Sequence, residues 1–340
     1  MSAENKNTKE FNPLISLAKV LAMLLIINSH SDSLFPSRLS FLATGGALGN
    51  ELFFLVGGYL YSVNGSFVKQ TIKRFIRLYI PTYIMTIFLY LIDELHLSDL
   101  NSQVLFQRLI WPTSFWFVSA IFVFGIFYYA FYKLGAFSST KSKACFYIMG
   151  TVINLLIYFL CVNPKSTWIV EDFKLLNDSV YYKCIYSFFV FCIGHDLRNI
   201  NIKKKKQVVW LLVGAAISFI AFNGYKIALY RHYCPMEMQI ISQLLTVVCV
   251  VCIFLFITNS SVLASAMNNR KIKLVTNALG SITLEAFLIQ FHIISLTSKL
   301  SIFFPVNYLL ATLVIVGIAL LYKRLNDCIT KAILKSMKIK

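Results

Sequence analysis

The sequence has little of what a water-soluble or disordered chain needs. Charged residues make up 14% of its 340 residues, whereas hydrophobic residues make up 58% and the mean hydropathy is +0.71. Such a composition leaves too little polar surface to cover a soluble globule. Only 7 prolines and 14 glycines accompany 15% aromatic residues, which argues against disorder and low-complexity structure. We therefore expect a membrane protein that is ordered almost throughout.

Acidic residues are few as well, at 14 against 32 basic residues, so the net charge is +18. In a soluble chain this excess would suggest nucleic-acid binding. Here the basic residues form short clusters between long apolar runs, which is the pattern of a polytopic membrane protein. Membrane lipid is therefore an expected partner, and nucleic acid is not.

The cysteines indicate neither a disulfide framework nor a metal site. Most of the 8 lie inside apolar runs, where a thiol packs as a small hydrophobic group: Cys145, Cys161, Cys184, Cys192, Cys249 and Cys252. The CxxC formed by Cys249 and Cys252 has no second pair and no nearby His in sequence. We expect it to pack in the core, and we expect no metal cofactor.

Ten segments approach the roughly twenty helical residues needed to cross a hydrocarbon core. They run approximately over 14–34, 49–64, 78–92, 114–132, 145–162, 179–196, 207–226, 238–258, 275–297 and 305–322. Lys6 and Lys9 precede the first run, as in a signal peptide, but the run is long and no small-x-small cleavage site follows. We therefore expect a retained first span and an all-α, polytopic integral membrane protein with a single domain over residues 1–340.

The charges of the connecting segments predict the orientation, because Lys and Arg in short loops stay on the cytoplasmic side. With the N-terminus inside, the acids Asp93, Glu94, Asp99, Glu171, Asp172 and Asp178 all fall in outer loops. The basic residues fall in inner loops and the tail: Lys69, Lys73, Arg74 and Arg77; Lys133, Lys141 and Lys143; Lys203 to Lys206; Arg270, Lys271 and Lys273; then Lys323 to Lys340. This alternation predicts about ten spans with both termini cytoplasmic.

Ionisable residues inside spans are candidates for function, since each costs roughly 2.5 to 3.5 kcal/mol to insert. Lys19, His30, Glu285 and His292 lie well inside, whereas Asp32, Glu51, His195 and Asp196 lie nearer the edges. Helical spacing puts Lys19 and His30 about 20° apart on one face, and likewise Glu285 and His292. Measured from the inner end, both histidines are expected at roughly 25 Å, with Glu285 near mid-span.

Structural roles remain open for these residues. A lone intramembrane His often serves as a hydrogen-bond partner between helices, and a Lys near an edge extends its amine to the interface. For His292 the structural and functional interpretations weigh equally. The polar string from Asn28 to Asp32 favours function for His30. His195 and Asp196 are expected at the interface beside the Lys203 to Lys206 cluster, which we interpret as a topology signal.

At these residues the sequence resembles the acyltransferase 3 superfamily, polytopic membrane enzymes that transfer acyl groups, usually acetyl, to extracytoplasmic sugars. Members typically open with Asp-x-x-Arg and have a His eleven residues after the Arg. Here His30 keeps the spacing, while Ser16 replaces the Asp and Lys19 the Arg. The segment from Gly49 to Leu60 is similar to the family's "GVxLFFxxSGFL", with Gly57 in place of Ser.

Three further segments carry the resemblance. The run from Lys73 to Pro81 is similar to the family's "Rxx-R-xxP" inner loop, and the run from Phe115 to Ser119 matches its "WFLS". The late segment from Gly280 to Ile293 is closer to the "SLELFxxQYHIW" of the related sialate and fungal-capsule O-acetyltransferases than to the bacterial "SxxxYLxH". It adds Glu285, Gln290 and His292 as candidates.

The resemblance implies an O-acyltransferase that moves acetyl from cytoplasmic acetyl-CoA to a glycan or lipid-linked sugar. The richness in Lys, Ile and Asn suggests an AT-rich bacterial genome, so we expect the bacterial cytoplasmic membrane. His30 is the predicted general base. A carboxylate would orient it, and Asp32, at about 200° around the helix, competes with Glu285 and Glu51 for that role. Predicted acceptor-binding residues are Glu51, Trp116, Gln290 and His292.

Basic residues toward the inner face suit the phosphates of the donor, because guanidinium groups bind such oxygens bidentately. Lys19, Lys73, Arg74 and Arg77 are the candidates, and a role in topology alone is the alternative. Two other functions remain open for the whole chain. A proton-coupled exporter of a sugar or organic anion would also carry buried His, Glu and Lys, whereas a membrane scaffold would leave the polar string around His30 unexplained.

Overall fold

A computed structural model describes residues 12–92, 102, 106–110, 115–161, 169–170, 174–175, 180–202 and 204–338 of the protein. The α-helices in this part are α1 Pro13–His30, α2 Gly46–Leu60, α3 Phe67–Leu91, α4 Trp116–Lys133, α5 Thr140–Leu156, α6 Val180–Asp196, α7 Lys205–Tyr230, α8 Ile240–Asn259, α9 Ser261–Ala266, α10 Arg270–Ser281, α11 Thr283–Ser298 and α12 Val306–Ser336. A two-residue antiparallel pair, β1 Ile169–Val170 with β2 Lys174–Leu175, interrupts the helical pattern. The expected helical class is therefore confirmed.

Helix α1 lies in the middle of the bundle. The Asn12 side chain accepts a hydrogen bond from the backbone N–H of Leu14, and Pro13 occupies the first turn, where its missing N–H costs nothing. From there α1 packs against α2, α8, α10 and α11. The helix that carries Lys19 and His30 is thus surrounded by other helices over most of its length.

Helices α2 and α6 make backbone contact at two glycines. A Cβ atom on Gly58 would lie 1.8 Å from the carbonyl oxygen of Phe191, and one on Gly194 would lie 1.9 Å from the carbonyl oxygen of Leu55. No larger residue fits at either position unless the backbones move apart. Small residues such as glycine allow helix backbones to approach this closely in membranes. The pair therefore crosses in one fixed register.

The number of spans is confirmed only in part. Seven segments of the described chain are long and apolar enough to cross a membrane, and α10 with α11 provides an eighth if that bent pair is one span. The two other predicted spans correspond to α3, which begins with a basic stretch, and to α6, which has 17 residues. A count of ten and cytoplasmic termini stay predictions. The outer-loop acids from Asp93 to Asp99 and from Glu171 to Asp178 lie outside the described residues.

Two predicted boundaries are wrong. The inner "loop" that contains Lys69 to Arg77 is helical, because Ser66 caps the backbone N–H of Lys69 and α3 continues unbroken to Leu91. The ninth predicted span, 275–297, is broken by a bend of 66° between α10 and α11. Glu285 therefore lies in the first turn of α11, just after this bend.

The first span also ends earlier than expected. The pattern predicted a helix to residue 34, but α1 ends at His30, and Asp32–Leu34 forms a separate 3₁₀ turn. Ser31 terminates α1, with its hydroxyl bonded to the carbonyl of Ile27 at 2.8 Å. The helical angle of about 200° between His30 and Asp32 therefore does not apply.

Candidate active site

The bundle has two chemically different ends. We call the end where α1 finishes and α2 begins the His30 end, and the end where α2 and α6 finish and α3 and α5 begin the basic end. At the basic end, Lys143 of α5 pairs with Asp196 of α6 at 2.7 Å. At the His30 end, the Asn307 side chain of α12 donates to the carbonyl oxygen of Leu34 at 2.8 Å.

His30 and His292 lie at the same end, as their depths along the helices predicted. The ring of His30 lies 4.4 Å from the ring of Phe291, between ring centroids. His292 is the next residue of α11, and its ring meets that of Phe88 in α3 edge-on at 6.4 Å. Each imidazole thus contacts an aromatic ring, that of Phe291 for His30 and that of Phe88 for His292, and Phe291 and His292 are consecutive residues of α11.

The polar string that precedes Asp32 builds the surroundings of His30. Asn28 donates from its amide to the carbonyl oxygens of Leu42 and Thr44, at 2.7 and 2.9 Å, which ties the following 3₁₀ segment over the end of α1. The Ser29 hydroxyl donates to the carbonyl of Ile26 at 2.8 Å. The Ser31 hydroxyl donates to the carbonyl of Ile27 on the other side of His30, so the backbone is fixed on both sides of the imidazole.

Glu285 belongs to a second polar group, which we call the Glu285 cluster: Lys19, Glu285, Lys323, Asn326 and Asp327. The Glu285 carboxylate accepts from the Asn326 amide at 3.3 Å and lies 3.8 Å from the Lys323 ammonium. Lys323 also pairs with Asp327 at 2.5 Å, and the like charges of Lys19 and Lys323 repel each other. Lys19 and Glu285, from two predicted sites, therefore both interact with Lys323 of α12.

The same geometry separates Glu285 from His30. The His30 ring contacts Phe291, which lies six residues after Glu285 on α11, a rise of roughly 9 Å. The described partners of the Glu285 carboxylate come from α12. These contacts therefore do not pair the Glu285 carboxylate with the His30 imidazole, which was one of the predicted arrangements.

Glu51 faces a different helix from the one that carries His30. Its carboxylate accepts a hydrogen bond of 2.5 Å from the hydroxyl of Ser187 in α6, and only 6% of the residue is exposed. Its second oxygen has no hydrogen-bond partner among the described residues. Glu51 is thus buried between α2 and α6, and the structure does not bring it to the imidazole.

Gln290 is fully buried in α11, with no described partner for either atom of its amide. One turn earlier, Phe287 contacts Phe117 at 5.4 Å, so this side of α11 faces the start of α4. Trp116 lies there, half-buried, 5.9 Å from Phe54. A buried amide left unsatisfied costs about 1 to 3 kcal/mol, so Gln290 is suited to a polar ligand group.

The predicted donor-binding residues on α3 differ in their surroundings. Arg74 is half-buried, with its guanidinium carbon 3.7 Å from the centre of the Tyr61 ring. Lys73 is half-buried and Arg77 is exposed. Near Arg74, the Tyr128 hydroxyl and His195 Nδ1 share a hydrogen bond of 2.7 Å. Sequence patterns gave no reason to group these tyrosines with Arg74, because they lie on other helices.

Within the residues that the structure describes, no three His, Cys, Asp or Glu side chains come together in a way that could hold a metal ion. The side chains at the His30 end include imidazole, carboxylate and amide groups. Proton transfer by imidazole is the step that this set of side chains supports best.

The helical bundle therefore carries two histidines at one end and a set of basic side chains at the other. Residues 12–324 match the family described as "Acyltransferase domain", acyltransferase 3. The match covers most of the chain, and the protein belongs to this family and is a membrane acyltransferase. Searches of curated proteins and of solved structures gave no match. The similarity of the segment from Gly280 to Ile293 to sialate and capsule O-acetyltransferases stays a prediction.

Proposed function

We propose that this acyltransferase moves acetyl from acetyl-CoA on the cytoplasmic side to a hydroxyl of an extracytoplasmic or lipid-linked glycan. The observation that carries the proposal is the position of His30, which ends α1 against Phe291 with its backbone fixed on both sides. Imidazole is the side chain best suited to accept and return a proton near neutral pH. Family membership supports acyl transfer over the carrier alternative.

The reaction needs one proton to move twice. Neutral His30 takes the proton of the acceptor hydroxyl as its oxygen attacks the thioester carbonyl carbon. The tetrahedral intermediate then collapses, the carbon–sulfur bond breaks, and the imidazolium returns the proton to the departing thiolate. The products are the acetyl ester and free CoA, so atoms and charge balance.

The imidazolium formed in this reaction requires a nearby negative charge. We assign this role to Asp32, because α1 ends at His30 and the helical angle that would have turned Asp32 away does not apply. Glu285 then acts at a distance, through the Glu285 cluster, as a positioning residue for α11. The proposed role of Asp32 is that of the carboxylate that orients and stabilises a catalytic imidazole.

We assign binding of the acceptor to Gln290 and to the side chains around its buried amide. Gln290 would donate to and accept from sugar hydroxyls, with Trp116 as an apolar wall and His292 at the open side. Glu51, with one oxygen unpartnered among the described residues, is a more distant candidate for the same ligand. Sites built to bind hydroxyl groups reject analogues that lack them, because the buried polar groups are then left unpaired.

The donor would be held at the basic end by Lys73, Arg74 and Arg77, with Lys19 farther along its path. Both termini would then be cytoplasmic, with about ten spans in a bacterial inner membrane. The thioester would be carried along the bundle on the pantetheine arm, because the two ends are separated by the length of α1.

The deciding experiment follows release of CoA from radiolabelled acetyl-CoA by purified protein in nanodiscs, with and without added membrane-derived glycolipid. The parental protein should release CoA and label the lipid fraction. His30→Gln should lose both signals, whereas His232→Asn should keep them. His232 is an exposed histidine with a φ of 57° that asparagine also tolerates, so it is a matched control. Transport of intact acceptor without thioester loss would support the carrier instead.

A further inference from the structure

Two arginines from different parts of the chain meet at the end of α2. Arg74 of α3 lies over the ring of Tyr61, with its guanidinium carbon 3.7 Å from the ring centre. Arg198, in the 3₁₀ turn after α6, donates from Nε to the carbonyl oxygen of Tyr59. Tyr59 and Tyr61 are two residues apart, so both guanidinium groups occupy one corner of the basic end, where they repel each other.

No described carboxylate neutralises this pair. The carboxylate closest in sequence to Arg198 is Asp196, and it is already bound by the Lys143 ammonium at 2.7 Å and the Tyr147 hydroxyl at 2.9 Å. In the described chain, the Arg74 guanidinium contacts the ring and hydroxyl of Tyr61, and the Arg198 guanidinium contacts the carbonyl oxygen of Tyr59. Two like charges without a counter-ion favour a bound anion between them.

The corner is shaped around the Arg74 side chain. The Tyr61 hydroxyl donates to the carbonyl oxygen of Gly125 at 2.6 Å, which fixes the ring on which Arg74 lies. A Cβ atom on Gly125 would lie 2.2 Å from Nη1 of Arg74, so only glycine leaves the guanidinium its place. Arg198 also satisfies a carbonyl in the last turn of α2, which holds it in position.

The space beside Arg74 is a shallow depression. Gln70 and Thr71 line it together with Tyr61, Arg74 and Gly125. Pockets that enclose whole ligands measure roughly 300 to 1,000 Å³, and this depression encloses no such volume, so a nucleotide base has no room here. A nucleotide would contact this corner through its phosphates.

We propose that Arg74 and Arg198 together form a pyrophosphate-binding site at the basic end, and that its occupant is the pyrophosphate of the acyl donor. The identity of the occupant rests on the proposed function, whereas the two-arginine site does not. Guanidinium groups bind linked phosphates bidentately from both sides, a geometry that a lysine does not reproduce. The phosphate of an anionic lipid head group offers the same chemistry, so the test separates the two sources.

The test measures binding of non-acylated CoA by calorimetry to full-length protein in phosphatidylcholine nanodiscs, with inorganic pyrophosphate and pantetheine as competing probes. The parental protein should bind CoA, and pyrophosphate should compete. Arg198→Gln and Arg74→Lys should each weaken CoA binding by about tenfold or more, because each removes charge-assisted hydrogen bonds. Arg324→Gln, which removes an exposed arginine of α12, is the matched control and should bind CoA normally.

A second variant guards against loss of folding. Gly125→Ala keeps both charges but displaces the Arg74 guanidinium, so it should weaken CoA and pyrophosphate binding while pantetheine binding stays at the parental level. Arg198→Lys tests the capping role, because it keeps a donor for the Tyr59 carbonyl. If it restores folding but not CoA affinity, the guanidinium itself is required.

The outcomes distinguish this site from the proposed reaction. Parental CoA affinity in Arg198→Gln would overturn the site and leave the acyltransferase proposal intact. Failure of the parental protein to bind CoA, with pyrophosphate binding still dependent on Arg198, would overturn the donor and keep the two-arginine site. If CoA binding is lost only when phosphatidylglycerol is present in the nanodiscs, a lipid phosphate occupies the corner, which also overturns the assignment to the donor.

Discussion

Gly280 of α10 packs directly on Ser16 of α1: a Cβ atom on Gly280 would lie 2.7 Å from the Cβ atom of Ser16. Ser16 is fully buried, and its hydroxyl has no described partner. It occupies the position where the family typically has an aspartate. In this protein the contact with Gly280 leaves little room for a carboxylate at this position.

This packing predicts opposite effects for two substitutions of Ser16. Ser16→Ala removes an unpartnered buried hydroxyl, so thermal stability should be kept or should rise slightly. Ser16→Asp adds volume and a buried charge, and should lower stability by about 2 kcal/mol or more. Thermal unfolding monitored by tryptophan fluorescence in detergent measures both. Equal stability of the two variants would contradict the contact, and Gly280→Ala should resemble Ser16→Asp in direction.

A comparison of the two histidines tests which one is the base. His30→Ala should insert normally and lower the transfer rate by about 10²-fold or more, which is the usual contribution of a general base. His292→Ala should raise the KM for the acceptor with a smaller effect on kcat, because we place it beside the acceptor. Initial rates over a range of acceptor concentrations separate the two effects. Loss of kcat in His292→Ala alone would assign the chemistry to α11.

The Glu285 cluster predicts coupling in stability. Glu285→Gln and Asn326→Ala should each destabilise the protein, and the double variant should lose less than the sum, because the two side chains share one hydrogen bond of 3.3 Å. Combining Glu285→Gln with His30→Ala should multiply the losses in transfer rate, since Glu285 lies on α11 and binds α12, whereas His30 ends α1. Strictly additive stabilities would show that the hydrogen bond contributes nothing.

A substitution of Gln290 should affect transfer to the acceptor without lowering the stability of the protein. Gln290→Leu has similar volume and removes an unsatisfied amide, so stability should stay the same or rise. Transfer to the glycan should fall by about tenfold or more, whereas slow hydrolysis of acetyl-CoA by water should continue. Parallel assays of ester formation and CoA release give both rates. A stable variant with full transfer would remove Gln290 from the acceptor site.

Much of the helical fold could be predicted from the sequence, because long apolar runs leave a chain few alternatives in a bilayer. The bend at Ile282 was not predicted, although the Gly280–Ser281 pair before it is a typical cause of sharp kinks. Its direction is not readable from the sequence, because it places Gly280 against Ser16 of α1, which is a tertiary contact.

The candidate site was predictable only where function depends on spacing within one helix. His30 and Lys19 share α1, and the two histidines reach the same level because span lengths are similar. The partner of Glu285 comes from 41 residues farther along the chain, and Arg198 reaches Tyr59 across 139 residues. Such pairings depend on helix packing, which single-helix periodicity does not encode.

The glycine contact between α2 and α6 has a consequence for biosynthesis. Gly194 leaves the ribosome 136 residues after Gly58, which at about 5 to 20 residues per second means on the order of ten seconds. During that time α2 has only 15 residues to hold it in the bilayer and a glutamate, Glu51, whose partner Ser187 is also still to be made. Newly made α2 must therefore be sheltered, by the insertion machinery or by α1, until α6 arrives.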